Sequence, residues 1–328
     1  MKAVQISRFG GPEVLEVVEL PTPAPGAGQL LVRTAAIGVN LADTLTRMDR
    51  YAVTPPLPAI LGAEAAGVVE ALGAGVHGFA LGQRVAAPLF ANNSLGAYAE
   101  FIVIDANLAV PLPDAISFEQ AAALMIQGIT ALTLTRQAPP KGKRVLINAA
   151  AGGVGSILVQ LARRADARAV IAGASTPQKL DFARSLGADG GVNYTHRDWT
   201  EELRRITDGN GPDIIYESVG GEVTGASLSS LASQGQIIIY GALNIQSFQF
   251  GVPELLGLIF KNQSLTGFAF APLLTPATLR SDLAELFDLV IRGELAVTIG
   301  GRYPLAEACK AHGALEGRGT TGKLVLTP

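Results

Sequence analysis

Residues 148–156 read NAAAGGVGS. An apolar run, Arg144–Ile147, precedes them. An amphipathic run from Val154 to Ala165 follows, with Ile157, Leu158, Leu161, Ala162 and Ala165 on one stripe at helical spacing. The spacing Ala150-x-Gly152-x-x-Gly155 is the dinucleotide fingerprint with alanine in place of its first glycine. Gly152 lets the backbone approach a pyrophosphate, and Gly155 lets the helix pack closely on the strand. The helix N-terminus turns unpaired N–H groups and the positive end of its dipole toward the anion. Alone the spacing is a weak signal; between a strand and a helix it is a strong one. Without a ligand the same residues would form a tight strand-to-helix turn.

Working outward, apolar runs at Ala169–Ala172, Gly191–Asn193, Asp213–Glu217, Gln236–Tyr240 and Ser264–Phe268 alternate with helical segments. One of these, Gln178–Leu186, is followed by Gly187 as a left-handed cap. The alternation predicts a doubly wound parallel sheet. Upstream, to about residue 115, short β-type runs are punctuated by turns at Pro21–Gly28, Gly73–Gly75, Gly82 and Pro111–Pro113, which predicts a small barrel or sandwich. Ser117 and Gln120 form a capping box for a long helix to about Gln137. Near the C-terminus a helix (TLRSDLAELFDLVIRGEL) and a strand (GKLVLTP) return to the first domain. The division expected is 1–122, 123–267 and 268–328, an α/β chain with the parallel-sheet domain in the middle.

At 328 residues the chain exceeds one ordinary core. With 48% hydrophobic and 16% charged residues, disorder is disfavoured, and a net charge of −3 disfavours a general nucleic-acid or anionic-membrane binder. The single cysteine, Cys309, rules out a disulfide framework and a cysteine-rich zinc site. No signal peptide is visible at the start, and the longest apolar runs fall short of the roughly 18 residues that span a bilayer. A cytoplasmic protein is expected.

The tip of the second strand of the parallel sheet bears on the choice of dinucleotide. An NAD site usually carries Asp or Glu there, bonding the ribose 2′-OH. Residues 172–179 read AGASTPQK, and the next carboxylate, Asp181, falls inside the following helix. Ser175 and Thr176 offer hydroxyls, and Lys179 offers a cation for a 2′-phosphate. The reading is NADPH; the bland alternative for Lys179 is a solvated lysine on a helix face.

The whole chain resembles the medium-chain dehydrogenase/reductase superfamily, and within it the zinc-independent quinone oxidoreductase branch that includes zeta-crystallin-like proteins. The stretches that carry the resemblance are GVNLADTLTR, LGAEAAGVVEALGAGV, GQRV, GAYAEF, AAAGGVGS and GRGTTGKLVL. It implies a GroES-like catalytic domain built from both chain ends, a Rossmann domain between them, and a cofactor in the cleft. Zinc members of the superfamily carry Cys at the position of Val39 or Asn40 and His at that of Ala63; this chain has IGVN and LGAE, and no four-cysteine lobe. His77, His196 and His312 fall in a turn, a loop and a C-terminal helix, so no metal is expected.

The resemblance places Asn40, Asp43 and Tyr51 in the active-site segment. Asn40 and Asp43 also read as an N-cap and its N3 acid. Tyr51 matches a catalytic tyrosine of related enoyl-thioester reductases, or forms an aromatic lid. Cofactor contacts are expected from Asn40, Thr130, Gly152, Gly153, Val154, Gly173, Ser175, Lys179, Tyr194, Ser218, Tyr240, Gly241 and Lys323, with Ala242 beside Gly241. Phe268 and Phe270 line the nicotinamide pocket or serve as core or dimer contacts. The implied activity is NADPH-dependent reduction of quinones or α,β-unsaturated carbonyls, by a homodimer paired through the sixth strand of the parallel sheet. A trans-2-enoyl-thioester reductase, or an NADPH-binding protein with little turnover, are the alternatives.

Overall fold

A computed structural model of the chain describes residues 1–241 and 247–328. In chain order the strands are β1 (Lys2–Ile6), β2 (Glu16–Glu19), β3 (Gln29–Val39), β4 (Ala59–Ile60), β5 (Ala65–Leu72), β6 (Arg84–Ala87), β7 (Phe101–Asp105), β8 (Val110–Pro111), β9 (Arg144–Asn148), β10 (Ala169–Ala174), β11 (Gly190–Asn193), β12 (Ile214–Glu217), β13 (Gln236–Ile239), β14 (Ser264–Gly267), β15 (Ile299–Pro304) and β16 (Lys323–Thr327). The helices are α1 (Leu41–Arg47), α2 (Phe118–Ala123), α3 (Ile129–Gln137), α4 (Gly153–Arg164), α5 (Pro177–Ser185), α6 (Trp199–Ile206), α7 (Gly221–Ser230), α8 (Val252–Lys261), α9 (Pro276–Ile291) and α10 (Ala308–Glu316).

Two compact units result: residues 1–129 with 271–328, and residues 130–270. The first holds a seven-stranded sheet in the order β15-β16-β3-β5-β6-β8, with β7 also on β3, and a three-stranded sheet β2-β1-β4. β3 is long because it serves several partners: Leu30–Ile37 pairs with β5, Gln29–Arg33 with β7, and Ile37–Val39 with β16. Pairing with β16 ties the C-terminal segment into the first unit. Leu30, Val32, Ile37, Leu61, Val69, Val85, Leu324 and Leu326 fill its core.

The second unit is a six-stranded sheet in the order β11-β10-β9-β12-β13-β14, parallel throughout. This is the doubly wound order, and the direction of winding reverses between β9 and β12. Leu146, Ile171, Val192, Ile215 and Ile237 are its buried apolar residues. The strands end one or two residues from their expected limits. β13 stops at Ile239 and β14 at Gly267, so Tyr240 and Phe268 lie just beyond them.

The helix expected to run from Ser117 to Gln137 is interrupted. Ser117 and Gln120 make the capping box, but residues 124–128 form a π-helical turn between α2 and α3. The widened turn lets the Ile126 N–H reach Glu64 Oε2 at 2.7 Å. Gly128 sits so close to Leu286 that a Cβ there would lie 2.9 Å from Cδ1. Residues 123–129 therefore pack with the first unit, and the units divide at 129/130 and 270/271 instead of 122/123 and 267/268. Gly187 has φ +109°, positive but wider than a left-handed helical cap.

At the glycine turn, the left-handed residue is Ala149, with φ +52°, one position before the alanine that replaces the first fingerprint glycine. A Cβ on Gly155 would overlap the Ala149 carbonyl oxygen, which accounts for glycine there. A left-handed L-residue costs about 1–2 kcal/mol. Ala149→Gly is therefore expected to leave stability unchanged or raise it by up to about 1 kcal/mol, while the β-branched Ala149→Val lowers it by more than about 1 kcal/mol, as read from urea midpoints.

Candidate active site

In the first unit the chain leaves β3 at Val39 and turns at Asn40, the N-cap of α1. Asp43 returns to the cap, its Oδ2 accepting the Asn40 N–H at 2.8 Å. The Asn40 side chain makes no cap hydrogen bond. Its amide donates to Glu64 Oε1 at 2.7 Å, and its carbonyl accepts from Lys323 Nζ at 2.7 Å. Lys323 Nζ also lies 2.5 Å from Glu64 Oε1. The two readings of Asn40 and Asp43 thus separate: Asp43 supports the helix end, and Asn40 binds an ion pair.

Lys323, expected near the cofactor, is 1% exposed and occupied with Glu64 and Asn40. A buried pair like this is held by its extra hydrogen bonds, here from Asn40 and from the Ile126 N–H. Burial pushes the Asp43 carboxyl up to about 7; the Asn40 N–H, Lys323 and the Tyr98 hydroxyl act in the opposite sense, and Glu64 adds to the rise. Tyr51 lies beyond α1 and is 51% exposed. Partial burial and the Asp43 charge raise its pKa. Glu64 and Tyr98 carry no sequence signal of a role, although both sit in the stretches LGAE and GAYAEF.

In the second unit, Gly152 caps α4, and Gly153 and Val154 open its first turn. Gly152 N–H donates to Ala149 O at 2.9 Å, and Ala150 N–H to Gly173 O at 3.0 Å. The buried Asn148 amide donates to Glu217 Oε2 and, at 2.9 Å, to Ser227 Oγ. Glu217 Oε1 accepts from Val219 N–H, Gly220 N–H and Thr224 Oγ1 at 2.6, 2.9 and 3.1 Å. Four donors make Glu217 the brace between the turn after β9 and the loop after β12, a role with no sequence signal beyond a strand-terminal acid. The Asn148 carbonyl oxygen occupies the space that a Cβ on Gly173 would take, which accounts for glycine at 173.

After β10, Thr176 caps α5 by accepting the Lys179 N–H at 3.3 Å, and Ser175 and Lys179 are both half-buried. Tyr194 follows β11, its N–H on Ala174 O at 3.1 Å. Ser218 follows β12, and Tyr240 and Gly241 follow β13. A Cβ on Gly241 would lie 2.8 Å from Ser218 Cβ, so the two strand ends are in close contact. Burial raises the Tyr240 hydroxyl pKa. Phe268 donates its N–H to Ile239 O at 2.9 Å, and both Phe268 and Phe270 are half-buried. Thr130, in the first turn of α3, is buried. Ala242 lies outside the described residues.

The carboxyl ends of β9, β10, β12 and β13 thus converge around the glycine turn at the switch point of the sheet, where doubly wound sheets bind ligands. The close approach of Gly152 and Gly155 to Ala149 O, and the first-turn amides of the 12-residue helix α4, fit a dinucleotide pyrophosphate. Among the described residues there is no group of three His, Cys, Asp or Glu side chains arranged to hold a metal ion, and no helix is long and apolar enough to cross a membrane.

The comparisons agree with this architecture. Residues 26–114 match the alcohol dehydrogenase GroES-like domain, and residues 153–291 match the family described as zinc-binding dehydrogenase. A quinone oxidoreductase of Pseudomonas aeruginosa is 38% identical over 100% of this chain and 99% of its own length. A 2-haloacrylate reductase of Burkholderia is 37% identical over 99% of this chain and 98% of its own. The crystal structure of Escherichia coli quinone oxidoreductase complexed with NADPH superposes with a TM-score of 0.92, at 36% identity and full coverage of both chains. A GroES-like unit with a Rossmann-type parallel sheet defines a medium-chain dehydrogenase/reductase. Within that class, the chain belongs to the quinone oxidoreductase, zeta-crystallin-like family.

The Asp43 carboxyl has a stability consequence. Its folded pKa of about 7 lies above the ordinary aspartate value of 3.8, so between those values the native state holds the proton that the unfolded chain releases. Stability falls as pH rises through that window, and the penalty is complete above about pH 7. Asp43→Asn, whose carbonyl retains the bond from Asn40 N–H, is expected to raise the melting temperature at pH 8 and to lose that advantage toward pH 4. Thermal melts of both proteins across that range check the sign.

Proposed function

We propose that this protein is an NADPH-dependent, zinc-independent reductase of quinones and α,β-unsaturated carbonyl compounds, active as a cytoplasmic homodimer. The observation that carries the reading is the tip of β10: a dinucleotide cradle with Ser175 and Lys179 where an NAD enzyme carries an acid. The NADPH complexed with the E. coli quinone oxidoreductase supports the cofactor, and the 2-haloacrylate reductase of Burkholderia supports the activated-alkene class.

The bound nicotinamide supplies a hydride to the quinone or to the β-carbon of the enone. This chain's residues bind, orient and protonate. The first turn of α4 takes the pyrophosphate, and Lys179 takes the 2′-phosphate. Negative charge develops on the substrate oxygen, and the Tyr51 hydroxyl donates to it. Asp43, when ionised, keeps Tyr51 protonated, since its charge opposes a phenolate. Asn40 belongs to the same segment, its side chain held by Glu64 and Lys323. Zinc independence rests on residue types: Val39 or Asn40 stands where zinc members carry Cys and Ala63 where they carry His, and none of these supplies a thiolate or an imidazole. The single cysteine suits the reducing cytoplasm.

Dimerisation is supported by β14 at the edge of the six-stranded sheet and by α8 beside it, whose Val252, Ile259 and Phe260 are 67%, 57% and 80% exposed. Light scattering at micromolar concentration is expected to give a dimer, and Ile259→Glu with Phe260→Glu is expected to shift it toward monomer.

Steady-state NADPH oxidation with a quinone, an enone and an enoyl thioester tests the activity; turnover of the thioester alone would overturn the proposed substrate class. Lys179→Ala is expected to weaken NADPH binding by about 10- to 100-fold and NADH binding hardly at all. Tyr51→Phe keeps the ring and removes the O–H. It is expected to lower kcat for an enone by roughly 100-fold and to affect a quinone less, because water can protonate the stabler hydroquinone anion. Rates within about threefold of wild type on both substrates would leave Tyr51 as a lid.

A further inference from the structure

A buried polar chain runs through the first unit beyond the groups used above. Arg47, the last residue of α1, is fully buried. Its Nε donates to Gly10 O at 3.1 Å, one terminal nitrogen lies 2.5 Å from Glu316 Oε1, and the other lies 3.1 Å from His312 Nδ1. His312 Nε2 is 2.8 Å from the Tyr98 hydroxyl, which in turn is 3.2 Å from Asp43 Oδ2. Three elements distant in sequence contribute: α1, the GAYAEF segment and α10.

The chemistry fixes the direction of every link. A guanidinium only donates, so His312 Nδ1 is the acceptor and the neutral ring carries its proton on Nε2. That N–H points at the Tyr98 oxygen and donates to it. The Tyr98 hydrogen must then go elsewhere, and the acceptor within reach is Asp43 Oδ2. Burial, with the Arg47 charge adding to it, pushes His312 down to about 3, so the ring stays neutral and the tautomer holds throughout the neutral range. The Tyr98 and His312 rings meet edge-on, 5.7 Å between centroids.

We propose that Tyr98 and His312 are positioning residues that act through Asp43: Arg47 sets the His312 tautomer, His312 sets the Tyr98 hydroxyl, and Tyr98 presents one donor to Asp43 Oδ2, orienting the carboxyl and favouring its ionised form. The consequence for turnover rests on the reading of Asp43 and Tyr51 given above; the hydrogen-bond relation does not. Three buried polar side chains, Arg47, His312 and Tyr98, in a core that apolar residues would fill at lower cost have a purpose beyond packing when they end on one acid of the active-site segment. The charged and titratable groups facing Asp43 are Lys323 from β16, Glu64 ahead of β5, Tyr98 and Tyr51, with Arg47 one residue removed through His312.

The test measures Asp43 directly. Protein labelled with 13C at the aspartate carboxyl is titrated by NMR, the Asp43 resonance being the one missing from Asp43→Asn. Tyr98→Phe keeps the ring and removes the donor. It is expected to move the Asp43 titration upward by about one pH unit, the size of one hydrogen bond to a charged group. The acid limb of the kcat/KM profile is expected to move with it. His312→Leu is expected to move the titration in the same direction by less, and His312→Gln, which can accept from Arg47 and donate to Tyr98, to titrate as wild type. An Asp43 titration unmoved in Tyr98→Phe overturns the proposal. Should that variant fail to fold, an unmoved titration in His312→Leu overturns it equally. A moved titration with an unmoved kcat/KM limb upholds the positioning and removes Asp43 from the proposed reaction.

Discussion

The first unit depends on the ion pair between Lys323 and Glu64. Both side chains are buried, and taking two such charges out of water costs several kcal/mol per ion before their attraction is counted. The cost is met because neither is left with the other alone. Asn40 donates to the carboxylate and accepts from the ammonium, and the Ile126 amide fills the second carboxylate oxygen. The four groups come from the end of β3, the segment before β5, the π-helical turn and the start of β16. The pair therefore joins the two ends of the chain and dictates where the long helix must widen.

The same economy appears at the glycine turn. Glu217 is a buried carboxylate with four donors, and one of them is Asn148, the residue that enters the turn. Asn148 in turn requires glycine at 173 on the neighbouring strand. The left-handed Ala149 that follows is held against its steric preference by bonds on either side: Ala150 N–H to Gly173 O and Gly152 N–H to Ala149 O. The geometry that fits a pyrophosphate is thus set by a carboxylate on the adjacent strand, not by the glycines alone.

Both units hold a buried acid at a segment expected to meet ligand, and they differ in how many donors that acid receives. Glu217 is saturated with donors. Asp43 receives two, from Asn40 N–H and Tyr98, against a strong burial penalty, and sits near neutrality as a result. An acid balanced in this way responds to small changes around it, whereas a saturated one serves as fixed scaffolding.

Much of this architecture is legible in the sequence because local patterns carry it. Strand-turn-helix alternation, apolar runs for strands covered on both faces, and the Gly152 and Gly155 spacing depend on neighbours a few residues apart. So does the missing acid after β10, which bears on the cofactor. The capping relation between Asn40 and Asp43 is only half legible: the return bond from Asp43 is local, but the Asn40 side chain answers to Glu64 and to Lys323, 24 and 283 residues away. The family resemblance expects Lys323 near the cofactor; that it is paired with Glu64, 259 residues away, has no local sign in the sequence. The π-helical turn, the brace at Glu217 and the roles of Tyr98 and His312 likewise have no local signature. Periodicity reports which face of an element is buried; the partner of a buried polar group is chosen by whatever the fold brings within about 3 Å of it, and only the tertiary structure decided that.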